Sequence, residues 1–311
     1  MQTAFIFPGQ GAQIAGMGKE IAQAFPAAAK IYQQANEILG YDLSGLCFEG
    51  PQEKLNETIY SQPAIFTTSA AILEVMKTES ATCDITPDVT AGLSMGEYTA
   101  LYAAGAMSFA DGLVLVHKRG TAMQAAADAT EGTMVSIIGL DDEKVAALCE
   151  EAAEGELLRP VNFNCPGQIV ISGDIGACKR AVEIAEKHGA MKAVPLSVAG
   201  AFHTEKMNLA AEDLKTALDE ANISDIDKVK VIANINTEFY NDAAEIRKGL
   251  VKQLVEPILW QNSMEKLLEA GVEKYYEIGP SRVLTGLMRR INRKTRVNNV
   301  SDLKSLEALL S

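Results

Sequence analysis

One serine in this 311-residue chain is bracketed by glycines two places before and two places after it, in Gly92-Leu93-Ser94-Met95-Gly96. The segment Asp88 to Gly92 that precedes it reads as a buried strand, and helical sequence follows through Ala103. A strained strand-to-helix turn of this kind projects the hydroxyl outward, and the glycines keep the crossing backbones free of bulk. The following helix directs its N-terminal N–H groups and positive dipole end toward the place where an oxyanion forms in acyl transfer. The pattern therefore reads as a nucleophilic Ser94; the plainer alternative is a glycine-bracketed turn carrying an ordinary serine.

A serine hydroxyl needs a base within hydrogen-bond reach at neutral pH. The chain holds three histidines. His117 lies in a helical stretch beside Lys118 and Arg119, and His188 sits at a helix C-terminus before Gly189, where an imidazole serves as a helix-dipole partner. His203 follows Ala199-Gly200-Ala201-Phe202 in a loop with no periodic role. Elimination selects it as the base, against the alternative of a loop histidine satisfied by backbone.

Other chemistries lack their residues. Gly9-x-Gly11 meets Ile14 where a dinucleotide-binding loop needs its third glycine, and no Gly-Lys-Ser/Thr phosphate loop occurs. No Cys-x-x-Cys or His-x-x-x-His spacing offers metal ligands, so neither a cofactor nor a metal is expected. A net charge of −13 argues against nucleic acid as a partner. Against that trend, Arg289, Arg290, Arg293, Lys294 and Arg296 crowd together near the C-terminus; they read as a docking patch for an anionic partner or as a solvated helix end. Five scattered cysteines suit a reducing compartment rather than a disulfide framework. The segment Met1 to Gly11 lacks the features of a signal peptide, and no apolar run has the length of a membrane span, so a cytoplasmic protein is expected.

The elements that must position Ser94 and His203 follow from periodicity. Strand Thr3 to Phe7 breaks into the loop Pro8-Gly9-Gln10-Gly11. A helix over Gln62 to Lys77 puts Ile65, Ala70, Leu73 and Met76 on one face, and another covers Ser108 to Ala127. From Thr133 the texture becomes a compact βαββαβ: strand Thr133 to Gly139, helix Asp141 to Ala153, strands Leu158 to Asn164 and Gln168 to Gly173, helix Ile175 to His188, and strand Met191 to Val198. That order is a split βαβ, ferredoxin-like unit. Strands near Val229 to Ile235 and Lys274 to Ile278 then resume the α/β rhythm. The expected architecture is a larger α/β-hydrolase-like domain with a mostly parallel sheet (1–126 and 198–311), interrupted by a small ferredoxin-like domain (127–197).

Several separate motifs now stand in register. Phe7-Pro8-Gly9-Gln10-Gly11, Gly92-Leu93-Ser94-Met95-Gly96-Glu97, Lys118-Arg119-Gly120, Ala201-Phe202-His203 and Glu277-Ile278-Gly279-Pro280 together resemble the malonyl-CoA:acyl carrier protein transacylases of fatty acid synthesis, across essentially the whole chain. The resemblance implies transfer of a malonyl group from coenzyme A to the phosphopantetheine thiol of an acyl carrier protein, through an ester on Ser94 and ping-pong kinetics. It implies His203 as general base, its imidazole oriented by the backbone carbonyl of Gln253, and the N–H groups of Gln10 and Met95 as oxyanion hole. Arg119, on its own a surface helix residue, becomes the guanidinium that recognises the malonyl carboxylate. Phe202 resembles the bulky residue that leaves little room for an α-methyl branch, and Asn162 stands where the small domain lines the cleft. The basic cluster is the candidate carrier-protein patch, and a monomer is expected. Leu93 departs from the histidine that many members carry before the serine, which leaves fine substrate handling open.

Rival readings remain. A serine hydrolase or thioesterase shares the elbow, but its histidine usually falls near the chain end, and His203 is far from it. A free-standing acyltransferase of a polyketide assembly line has the same site residues. A non-catalytic acyl-binding scaffold would have no need of nucleophile, base and arginine together.

Overall fold

The computed structural model describes residues 2–311, which form two sheets. Strand β1 (Gln2–Phe7) is followed, after helices that include Pro26–Leu39 and Thr58–Thr78, by β2 (Val89–Gly92). Helices Gly96–Ala103 and Phe109–Ala129 lead to the second sheet, made of β3 (Thr133–Ile138), β4 (Leu158–Cys165), β5 (Gln168–Gly173) and β6 (Lys192–Pro195). The chain then returns through β7 (Lys230–Val231), β8 (Val272–Ile278) and β9 (Val297–Val300).

The larger sheet is five-stranded, ordered β7-β2-β1-β8-β9, and every pairing in it is parallel. The residues of β1 explain its central place. Phe5 and Phe7 enter the core on one face, with helices Thr58–Thr78 and Phe109–Ala129, while Ala4 and Ile6 enter the other with Trp260, Met264 and Leu267. A strand buried on both faces must be apolar at every position, which is the sequence signature of a covered parallel sheet. The smaller sheet is antiparallel, ordered β4-β5-β3-β6, with helices Asp142–Ala153 and Ile175–Ile184 packed on it around their own core. This is the ferredoxin-like order, as the βαββαβ reading anticipates.

Three expectations are corrected. Helix Thr58–Thr78 is buried on nearly every face rather than along one stripe, because it lies between helices Pro26–Leu39 and Phe109–Ala129 and also meets β8. The strand anticipated over Val229 to Ile235 shortens to Lys230–Val231; Ile232 bridges back to Phe239, and Asn234 leaves the sheet to bond the serine turn. In the smaller sheet, helix Ile175–Ile184 stops short of His188, and β6 covers only Lys192–Pro195. Met191 there is 81% exposed, although its N–H still donates to the Ile138 carbonyl at 2.8 Å.

The turn between β2 and helix Gly96–Ala103 is where packing is least forgiving. A Cβ on Gly92 would fall 1.9 Å from the Gly96 carbonyl, and one on Gly96 would fall 2.2 Å from the Phe7 carbonyl. Three backbone segments thus meet in contact at the carboxyl ends of β1 and β2. Gly92→Ala is expected to cost at least about 3 kcal/mol, read as a lower urea midpoint; an unchanged midpoint would show that the turn has room to open.

Candidate active site

Ser94 occupies the tip of that turn with φ of 51°, a left-handed conformation that side-chain-bearing residues rarely adopt. Its backbone N–H donates to Asn234 Oδ1 at 2.7 Å, and Asn234 Nδ2 donates to the Gly92 carbonyl at 2.7 Å, so one amide side chain holds both limbs of the turn. Its hydroxyl stands 3.0 Å from His203 Nε2. The other imidazole nitrogen, Nδ1, is 2.7 Å from the Gln253 carbonyl. Since a carbonyl only accepts, Nδ1 carries the proton and Nε2 presents its lone pair to the Ser94 O–H.

Burial pushes the His203 pKa down to about 3, and the cations of Arg119 and Arg159 act in the same direction, while the Gln253 carbonyl opposes them. The imidazole is therefore neutral, as a base must be, throughout the physiological range.

Arg119 is 1% exposed, which overturns its reading as a surface helix residue. Helix Phe109–Ala129 carries it inward, above the Tyr98 ring at 5.6 Å. Nη1 donates to Gln62 Oε1 at 2.8 Å, and Nη2 donates to both Ser94 Oγ and Gln253 Oε1 at 3.0 Å. Nε, on the same edge of the guanidinium as Nη2, is buried and has no partner in the chain. An orphaned donor beside a shared one forms the fork that a carboxylate fills with two parallel bonds. Burial lowers the Arg119 pKa, yet a guanidinium keeps its charge at neutral pH.

Residues that the sequence reading gave no part complete the site. Glu97 is fully buried and accepts from Gln253 Nε2 at 2.8 Å, from Asn234 N at 3.1 Å and from the Tyr240 hydroxyl. Burial raises its pKa to about 7 despite those bonds. Gln253 Nε2 also donates to the Ser94 carbonyl at 2.9 Å, so its side chain as well as its backbone touches the dyad. Glu97 was legible as the residue after the turn, but Gln62, Asn234 and Tyr240 lie in segments with no motif.

A cavity of about 270 Å³ opens above Ser94, lined by Gln10, Arg119, Asn162, Phe202 and His203 among others. It lies between the sheets: Met134, Asn162 and Val170 come from the smaller one. Asn162 Oδ1 is buried there without a partner. Leu93 lines the wall, so that side of the mouth is apolar. Met95 is fully buried and does not line the cavity. Among the described residues, neither the Gln10 nor the Met95 backbone N–H donates to a backbone or side-chain acceptor of the chain, outside regular secondary structure. His117 and His188 are not brought to the site; His188 Nε2 pairs with Glu151 at 2.9 Å on the small domain. The five basic residues near the C-terminus are exposed, and Arg289, Arg290 and Arg293 rim a hollow with Pro166.

An elbow serine on a parallel α/β sheet, with a histidine and a buried guanidinium around it, defines an acyl-transferring class of protein. The chain belongs to the acyl transferase domain family, whose model matches residues 4–308. Within that family it stands with the malonyl CoA-acyl carrier protein transacylases. It is 46% identical to the one from Bacillus subtilis (strain 168), over 98% of this chain and 95% of that one. The structure superposes on the corresponding transacylase from Coxiella burnetii with a TM-score of 0.95, at 37% identity over 100% of this chain and 97% of that one. It is also similar to a malonyl-transacylase solved in complex with its type II PKS acyl-carrier protein, with a TM-score of 0.93 at 39% identity over 100% and 99% of the chains.

The pKa of His203 has a measurable consequence. Lowering the pH from about 6 to about 4 strips an ordinary imidazole of most of its neutral form, whereas a base titrating near 3 keeps it. Modification of Ser94 by a fluorophosphonate, followed by intact mass, is therefore expected to slow by less than about threefold across that window. A fall of tenfold or more would show that His203 titrates like an exposed histidine.

Proposed function

We propose that this chain transfers a malonyl group from malonyl-CoA to the phosphopantetheine thiol of an acyl carrier protein, through an ester on Ser94. The observation that carries the reading is the buried Arg119 fork, with Nη2 at 3.0 Å from Ser94 Oγ and Nε unpartnered beside it. A permanent cation this close to the nucleophile suits an acyl group with a free carboxylate and offers nothing to a plain acetyl or long-chain acyl group.

Ser94 Oγ attacks the thioester carbonyl carbon while its proton passes to His203 Nε2. The oxyanion is received by the N–H groups of Gln10 and Met95. As the C–S bond breaks, His203 returns the proton to the coenzyme A thiolate, leaving malonyl-Ser94 and a neutral imidazole. The carrier-protein thiol then enters, gives its proton to His203, and the same steps in reverse deliver a malonyl thioester. Arg119 holds the carboxylate throughout, Asn162 offers its unpartnered amide oxygen to the substrate, and Phe202 limits branching at the α carbon. The exposed cluster Arg289, Arg290, Arg293, Lys294 and Arg296 is the surface proposed for the acidic carrier protein.

Two features weigh against a hydrolase. The imidazole Nδ1 faces a backbone carbonyl where hydrolases of this fold place a carboxylate. The cation beside Ser94 serves no purpose in cleaving an uncharged ester. The polyketide alternative shares every residue of the site, and the similarity to a transacylase bound to a type II PKS carrier protein keeps it in view; competition between carrier proteins decides it.

Incubation with malonyl-CoA is expected to add one malonyl mass to the wild-type chain and none to Ser94→Ala. An unmodified wild type would favour a non-catalytic scaffold. Arg119→Ala is expected to cut malonyl transfer by about 100-fold or more while sparing acetyl transfer, in line with loss of a buried charge-assisted pair worth about 3 kcal/mol. Equal losses for both acyl groups would remove the carboxylate from the account.

A further inference from the structure

Two segments set the imidazole. One carries His203, whose φ of 60° places a non-glycine residue in the left-handed region, and the other carries Gln253, whose carbonyl receives Nδ1. A residue in that region stays there only when its surroundings over-determine it. Thr204 Oγ1 closes the turn on the Ala201 carbonyl at 2.7 Å, but that bond lies within the loop and does not fix it to the rest of the molecule.

The tie to the rest of the molecule comes from the small domain. Arg159 on β4 donates from Nη2 to the His203 carbonyl at 3.1 Å and also to the carbonyl of Val255, just beyond Gln253. Its Nη1 lies 3.5 Å from Glu205. One residue further along, Lys206 Nζ pairs at 2.6 Å with Asp174, which also accepts the Leu157 N–H. The same strand pairs with the segment after Gln253: Phe163 N–H donates to the Ile258 carbonyl at 2.9 Å, and Ile258 N–H to the Val161 carbonyl at 2.7 Å. Both halves of the imidazole's support are thus moored to β4, and among the described residues only Arg159 hydrogen-bonds the carbonyls of both with one group.

We propose that Arg159 is a positioning residue for the acyl transfer, its guanidinium bridging the carbonyls of His203 and Val255 so that the imidazole stays in line between Gln253 and Ser94. The inference rests on the reading of Ser94 and His203 as nucleophile and base. Arg159 is not itself among the residues that line the cavity, so its loss acts on the chemical step and leaves malonyl-CoA binding in place. Misplacing a base by about 1 Å costs on the order of 100-fold in rate. Lysine keeps the charge but lacks the planar fork that reaches two acceptors at once.

The test follows the appearance of malonyl-Ser94 in the full-length chain by rapid quench and intact mass over a range of malonyl-CoA concentrations. Arg159→Met is expected to lower the saturating rate by about tenfold or more, with the half-saturating concentration changed by less than about threefold, and Arg159→Lys is expected to recover part of the loss. A loss of rate below about fivefold, or one carried by half-saturation, overturns the proposal and leaves Arg159 as a structural tie between domains. If Arg159→Met does not fold, Arg159→Lys is judged alone: a rate below about half that of wild type supports the bridge, and a higher rate overturns it. A wild-type chain that takes up no malonyl group would instead sink the function on which the proposal rests.

Discussion

The hydrogen bond between Ser94 Oγ and His203 Nε2 joins residues 109 positions apart, and neither residue reaches the other by its own local structure. Ser94 is presented by a turn whose shape depends on β1, β2 and the following helix being in backbone contact. His203 is presented by a loop that leaves the small domain and re-enters the large one. Both residues hold left-handed backbone conformations, each at a cost of about 1–3 kcal/mol that the surrounding contacts must offset. Much of the rest of the structure can be understood as the means of keeping those two conformations in register.

The polar groups beneath the dyad show how that is done. Gln253 receives the imidazole on its backbone and uses both ends of its side chain, accepting from Arg119 and donating to Glu97 and the Ser94 carbonyl. Asn234 does the same for the two limbs of the turn. A buried amide that spends its donors and its acceptor has one orientation only, and so do its neighbours. The network is costly to assemble but leaves little freedom once formed.

The electrostatic arrangement has a consequence for the ligand. Arg119 and Glu97 are both buried, yet they form no direct ion pair among the described residues; the Gln253 side chain stands between them. A direct pair would neutralise the guanidinium and occupy its fork. With an amide interposed, Glu97 moderates the cost of the buried cation while Nε is left without a partner in the chain. The same cation bears on His203, helping to keep it neutral, so one guanidinium serves both carboxylate recognition and the state of the base.

The amino-acid sequence by itself determined the local features. The glycine-serine-glycine spacing is written in contiguous residues because it answers to backbone crowding within a few positions, and the doubly buried stretch 4–7 is written as an unbroken apolar run. The split βαβ order follows from alternating periodicities, and the family motifs name Ser94, His203 and Arg119. The tertiary structure decided which polar groups would meet. Gln62, Asn234, Tyr240 and Arg159 occupy segments whose spacing carries no signal, since their partners lie dozens of residues away and any exposed loop or helix uses the same residue types. Helix Thr58–Thr78 and Arg119 make the same point through burial: a helix enclosed on nearly every face and an arginine at 1% exposure look ordinary in one dimension. Their meaning comes only from the neighbours that exclude water.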